Sequence, residues 1–289
     1  MTPPASTPQR AAGDERPHLA DIALLTAHEA GQLVAAGYRS HPRFELKGHH
    51  DLITKYDLSS QELLVSRLES LAPGIPVVAE ERRAGEDVDR GRREQPGDRK
   101  RGLVWYVDPL DGTTNFVHGH PFWSVVVGLV QDDRPIVGAV VAPALGLSWV
   151  GWVGDGDTPG QARRNGQRCA VSAVSRVDEA LLATGFPAVR DRAPDDNFDS
   201  FIRVKRKAQG VRRCGSAAMD LCLVADGTYD GYWERRLHAW DVVAGSAVVL
   251  AAGGRITALD GGSPNYRIGH LCASNGHLHD ELVGLVMGS

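Results

Sequence analysis

The run Trp105-Tyr106-Val107-Asp108-Pro109-Leu110-Asp111-Gly112-Thr113-Thr114-Asn115-Phe116 constrains the chain more than any other stretch. Residues 104–107 have the β-branched and aromatic character of a buried strand, and Pro109 with Gly112 ends it sharply. Asp108 and Asp111 are left at the strand's end, flanking a residue whose carbonyl the turn forces outward. Two carboxylates and one backbone oxygen can then converge on a hard divalent cation. Thr113 and Thr114 follow, with hydroxyls that can hold a water or cap a helix. The same residues also fit a plain turn whose Asp side chains satisfy nearby amides.

A chain of 289 residues exceeds the usual size of one domain, so it forms one large layered α/β unit or two closely joined halves. The hydrophobic fraction of 42% and charged fraction of 24% are ordinary for a globular protein, and 33 glycines imply many tight turns. A formal net charge of -4 gives no electrostatic argument for nucleic acid or an acidic membrane as an obligatory partner. Cys169, Cys214, Cys222 and Cys272 lack a CxxC pair or zinc-site spacing and read as reduced, mostly buried thiols. No stretch approaches the length needed to span a bilayer, and the N-terminal region lacks a signal peptide's apolar core. A cytoplasmic location is the resulting expectation.

Residues 1–17 read as a flexible tail, and apolar spacing predicts a helix over 19–36. A short segment over 51–57 precedes an amphipathic run over 62–71, with Asp57 or Ser59 as its N-cap. Residues 75–79 read as a strand that delivers Glu80 and Glu81, of which only one can face a site because neighbours on an extended chain point opposite ways. Residues 82–102 carry mixed charge without apolar period and read as a surface loop. Strand-like runs at 123–130, 136–141 and 148–152 suggest an antiparallel meander. Asn165-Gly166 signals a hairpin followed by a strand over 169–172. Further strands are expected at 181–185, 211–214, 229–234, 256–258 and 271–273, and helices at 198–208, 218–225, 238–252 and through 285. Asp241 falls in the first turn of the helix after His238, where its charge suits the macrodipole and could also meet a cation.

Together, Glu80-Glu81 after one strand, Asp108-Pro109-Leu110-Asp111-Gly112-Thr113-Thr114 after the next, and Trp240-Asp241 with Ala244-Gly245 opening a late helix resemble the inositol monophosphatase family of magnesium-dependent, lithium-sensitive phosphatases. The resemblance runs from about residue 18 to the C-terminus, and Thr184-Gly185-Phe186-Pro187 is similar to its bacterial branch. It implies an α/β, layered αβαβα sandwich of the inositol monophosphatase and fructose-1,6-bisphosphatase type. Residues 18–289 would form a single phosphatase unit of two halves, about 18–150 bearing the metals and about 151–289 facing the substrate. A homodimer is implied as well.

By the same resemblance, Glu80, Asp108 and the Leu110 carbonyl would hold a first Mg²⁺, and Asp108, Asp111 and Asp241 a second; a third ion is possible in such sites. Thr113 and Glu80 would orient a metal-activated water for direct attack on phosphorus, and Gly112 and Thr113 would add amides to the phosphate. Gly215, Ser216, Ala217, Glu234 and His238 match substrate contacts, while Asp57 and Glu81 match supporting positions behind the ligands. The implied substrate is a small phosphate monoester, with myo-inositol 1-phosphate as first choice. Histidinol phosphate, fructose bisphosphate and nucleotide 3'-phosphates are the alternatives. A reading of another class is a regulatory partner of the transcription machinery, against which the intact acid set argues.

Overall fold

The computed structural model describes residues 15–48, 51–81, 102–156, 159–187, 196–267 and 269–288. Most of the expected tail and the Arg-rich stretch over 82–101 lie outside the described residues. Helix α1 (Glu15–Ala35) begins three residues earlier than the tail reading allows, because Pro17 falls in the first turn, where its missing N–H is harmless. Strands β1 (Phe44–Gly48) and β2 (Asp51–Thr54) pair antiparallel, and α2 (Lys55–Leu71) follows at once. Thr54 caps α2 and Asp57 is its N3 residue in a capping box, so the cap lies three residues before the sequence expectation.

A seven-stranded sheet follows in the order β3 (Val77–Ala79), β4 (Leu103–Asp111), β5 (Ser124–Gln131), β6 (Arg134–Ala142), β7 (Leu147–Trp152), β8 (Gln161–Arg164) and β9 (Gln167–Arg168). Only β3 and β4 run parallel; the rest is the expected antiparallel meander. Strand β4 does not stop at Pro109 but runs to Asp111 through a register shift between Asp108 and Asp111. A bulge tolerates proline because no ladder donor is required there. A short helix, α3 (Thr113–Val117), leaves that strand end.

The second sheet has the order β11 (Gly210–Arg212), β10 (Leu181–Thr184), β12 (Gly231–Glu234), β14 (Leu271–Ser274) and β13 (Arg255–Thr257). Helices α4 (Phe198–Lys207), α5 (Ala217–Ala225), α6 (Ala239–Ala251) and α7 (His279–Met287) complete the described elements. Residues 169–172 are not a strand; the chain leaves the first sheet there, and Val171 N bonds Ala252 O at the end of α6.

Three apolar cores define five layers. Leu19, Ala27, Val34, Leu64 and Leu68 of α1 and α2 pack on Trp105, Val125 and Ile136. Val126, Val140 and Trp149, on the sheet's other face, meet Leu221, Val242 and Val248 of α5 and α6, which also reach Tyr232 and Ala273 of the second sheet. Val204, Leu282 and Val286 cover the far side with Leu182 and Trp233. The order is therefore α1/α2, sheet, α5/α6, sheet, α4/α7. Strands covered on both faces read as unbroken apolar runs, which is why β5 shows no alternation. At Gly138 of β6 an added Cβ would lie 2.0 Å from Ala244 O, so glycine lets α6 rest directly on the first sheet. Among the described residues no helix is long and apolar enough to cross a membrane.

Candidate active site

The carboxyl ends of β3 and β4 and the N-terminus of α6 meet at one cleft of about 720 Å³, within the usual size of small-molecule sites. Glu80, Asp108, Leu110, Asp111, Gly112, Thr113 and Asp241 all line it. Glu80 follows β3 directly, and its amide donates to Val107 O at 3.3 Å, which ties it beside the β4 acids. Glu81 faces away and is buried, with its backbone clamped by the Gln61 amide at 2.6 and 2.9 Å. Only one member of the pair reaches the cleft, as alternation along an extended chain requires.

Asp108 is buried at the bulge and its Oδ1 accepts from Leu110 N at 2.9 Å. Burial, with repulsion from Glu80, Asp111 and Asp241, holds its carboxyl well above the usual carboxylate range. Asp111 is pushed up to about 7, chiefly by burial and further by Asp241, against the opposing pull of Ser216 and Ala218. The Ser216 hydroxyl donates to its Oδ2 at 2.6 Å and the Ala218 amide at 3.0 Å. Asp241 is the N3 residue of α6, and its Oδ2 accepts from His238 N at 2.6 Å.

Gly112 takes φ 89°, and an added Cβ would stand 3.0 Å from Phe122 O, so the turn into α3 demands glycine. Thr113 Oγ1 lies 3.1 Å from Asp57 Oδ1 and 3.0 Å from Leu110 O. Burial raises the Asp57 carboxyl, although hydrogen bonds from Thr54 and Thr113 oppose that.

The substrate-side residues are placed differently. Gly215 lines the cleft, whereas Ser216 is the buried N-cap of α5 with its hydroxyl committed to Asp111, and Ala217 is buried behind it. Glu234 is buried and takes the Tyr232 hydroxyl proton; burial pushes its carboxyl up to about 7. It fits only because Gly185 has no Cβ, which would fall 2.0 Å from Glu234 Oε2. His238 does not line the cleft: its exposed ring stacks on Trp240 at 4.7 Å.

Two residues escaped the sequence reading. The Asn115 amide donates to Phe122 O at 2.6 Å and Cys214 O at 2.8 Å, stapling the acid turn to the loop before α5. Asp220 is wholly buried on α5, and burial with repulsion from Glu234 and Asp111 keeps its carboxyl well above the ordinary range. Its signal in the sequence is a lone acid inside the otherwise apolar run of α5.

The donor set that faces the cleft consists of carboxylates and one carbonyl, with no sulfur or imidazole, which suits a hard cation. Mutual repulsion at Asp108 and Asp111 is what a bound divalent cation would relieve. One oxygen on each of Asp108, Asp111 and Asp241 is held by a protein donor, leaving the other to offer. Among the described residues no three His, Cys, Asp or Glu side chains are already drawn into a closed coordination group. A separate cleft of about 380 Å³ contains a single carboxylate, Asp133, which is paired with Arg267 at 2.8 Å.

The five-layer fold and its acid-lined cleft define a phosphoric monoester hydrolase. The chain belongs to the inositol monophosphatase family, whose profile matches residues 15–287. An inositol-1-monophosphatase of Synechocystis sp. is 36% identical over 263 residues, covering 91% of this chain and 86% of that protein. A protein of Pasteurella multocida named Nus factor SuhB is 32% identical over 268 residues, covering 92% and 94%. The solved inositol monophosphatase of Anabaena (Nostoc) sp. superposes with a TM-score of 0.81 at 33% identity, covering 95% of this chain and 97% of its own.

Proposed function

We propose that the protein is a Mg²⁺-dependent phosphatase that releases phosphate from a small monoester, with myo-inositol 1-phosphate as its first substrate. The observation that carries this reading is the convergence of Glu80, Asp108, Asp111 and Asp241 from three separate elements on one cleft. These four and the Leu110 carbonyl would hold the ions, and bound Mg²⁺ would acidify a water and neutralise phosphoryl charge. The chain's own groups do the rest. Thr113 donates its proton to Asp57 Oδ1, so its oxygen presents lone pairs toward the cleft and can accept a proton from the attacking water. Glu80 stands in the same cleft as a second acceptor. The amides of Gly112 and Thr113, at the start of α3, would donate to the phosphate oxygens. Ser216 and the Ala218 amide fix the Asp111 carboxylate.

Phosphate release from myo-inositol 1-phosphate should require Mg²⁺ and stop with chelator. Asp111→Asn and Asp241→Asn should each cut turnover by roughly a hundredfold or more while leaving the far-UV circular dichroism unchanged. Near-normal turnover in both would overturn the metal assignment. The Pasteurella relative's name favours a second reading, a regulatory protein-binding role in transcription. Failure of the wild-type protein on inositol, histidinol, sugar and nucleotide phosphates alike would favour that reading over the enzyme.

A further inference from the structure

Three large apolar side chains that the fold leaves in water, Phe44, Leu46 and Phe198, are 50%, 68% and 44% exposed, and all three line the acid cleft. Leu52 and Phe186 line it with them. Phe44, Leu46 and Leu52 come from the paired strands β1 and β2, where Leu46 lies across from Leu52. Phe186 follows β10 and Phe198 opens α4, and their rings stand 4.7 Å apart. Two unconnected parts of the chain thus bring carbon surface to one cavity whose other lining is acids, Gly112 and Thr113.

Packing does not account for these positions. Exposed apolar surface of this kind, continuous with a polar site, marks where a ligand's carbon skeleton rests. The cleft of about 720 Å³ is also larger than the acid cluster and a phosphate require. An ester of inositol size seated at the acids leaves the rings in water, whereas a longer alcohol reaches them.

Resting on the phosphatase reading above, we infer that the same site has a further activity: hydrolysis of phosphate monoesters whose alcohol carries an aromatic ring, seated against Phe44, Leu46, Leu52, Phe186 and Phe198. Water adds to phosphorus, the ester P–O bond breaks, and the alcohol leaves with a proton, so no other reactant is needed. The ring gains affinity from carbon contact and from offset or edge contacts with the phenyl groups.

The test compares 2-phenylethyl phosphate with ethyl phosphate, whose alkoxide leaving groups are similar, alongside myo-inositol 1-phosphate, all with Mg²⁺. In the wild-type protein kcat/KM should favour the aromatic ester by roughly tenfold or more. In Phe44→Ala/Phe198→Ala the ratio should fall toward one. Leu46→Ser, at the most exposed of these positions, gives an independent reduction should the double variant lose its circular dichroism. A wild-type ratio near one, with phosphate still released, overturns this inference and leaves the phosphatase reading standing. No phosphate from any ester overturns both. A high ratio unchanged in the variants, together with a smaller sedimenting mass, assigns the rings to contact with a second copy and overturns it as well.

Discussion

Asp57 divides its carboxylate between two elements. Its Oδ2 accepts from the Thr54 amide at 2.8 Å and hydroxyl at 2.6 Å, closing the capping box of α2, and its Oδ1 accepts from Thr113 at 3.1 Å. If Thr113 delivers its oxygen to a water only because Asp57 takes its proton, the two act as one unit. Thr113→Ala should then lower kcat by about 10²–10⁴ with little change in KM. Asp57→Asn keeps acceptors for the cap, so it should leave stability nearly unchanged while lowering kcat. The double variant should be no slower than Thr113→Ala alone; rates that multiply would separate the two residues. The acid and the threonine are each visible in the sequence, since one sits near a helix start and the other follows the Asp-Gly turn. Their pairing is not, because 56 residues separate them and no local pattern reports a contact at that range. Ser216 teaches the same lesson: its turn and its cap are readable, but the direction of its hydroxyl, onto Asp111, depends on a strand 105 residues away.

The position of Asp241 is decided by α6 as a whole. That helix lies on the first sheet only because Gly128 and Gly138 leave room, since an added Cβ would sit 2.7 Å from Ala244 N and 2.0 Å from Ala244 O respectively. Gly138→Ala should destabilise the protein by about 1–3 kcal/mol through overpacking, read as a lower urea midpoint. It should also lower turnover with Mg²⁺, because the displaced helix carries Asp241 with it. Unchanged turnover would show that α6 can shift without moving its first turn. Helix α6 itself is legible from the small, apolar run over 239–251, while its close approach to a sheet more than a hundred residues earlier is not. Strand β1 was invisible for a different reason: its residues alternate Phe, Glu, Leu, Lys with the apolar ones exposed, so no buried face marks it. At the other end of the chain His279 links β13, β14 and α7. The Thr257 hydroxyl donates to Ala258 O at 2.7 Å, so it accepts from Nε2 at 2.9 Å, and Ser274 donates to Nδ1 at 2.8 Å. That arrangement needs the neutral ring, and burial brings the imidazole down to about 4. The unfolded chain takes up the proton first, at about 6.5, so this contribution is whole above about pH 6.5 and is lost as pH falls toward 4. Metal-free Asp111 and Glu234, raised to about 7, act in the opposite direction, favouring the fold as pH falls. Comparing urea midpoints of wild type and His279→Gln from pH 7 to 4.5 isolates the histidine: the gap between them should narrow on acidification. A constant gap would remove the imidazole from the pH response.

At the scale of the whole molecule, the division into halves near residue 150 meets the central helix layer. Val126, Val140 and Trp149 belong to the first half, yet the surface that buries them is supplied by Leu221, Val242 and Val248 of the second. The cleft is shared in the same way, with Glu80, Asp108 and Asp111 from one half and Asp241 from the other. We therefore propose that the halves cannot unfold separately. Either half alone would expose the inner face of its sheet, an apolar area far larger than a stable monomer leaves in water. The full chain should lose far-UV circular dichroism and tryptophan fluorescence in one coincident urea transition, although chains of this length often populate intermediates. A fragment of residues 18–150 alone should show no near-UV circular dichroism, since Trp149 and one face of β5 and β6 would have nothing to pack on. Two resolved transitions, or a folded 18–150 fragment, would make the first half an independent domain and leave Asp241 as a ligand brought by docking. A single transition means that the acid cluster exists only when both halves are folded, so any variant that loosens α6 lowers stability and metal-dependent turnover together.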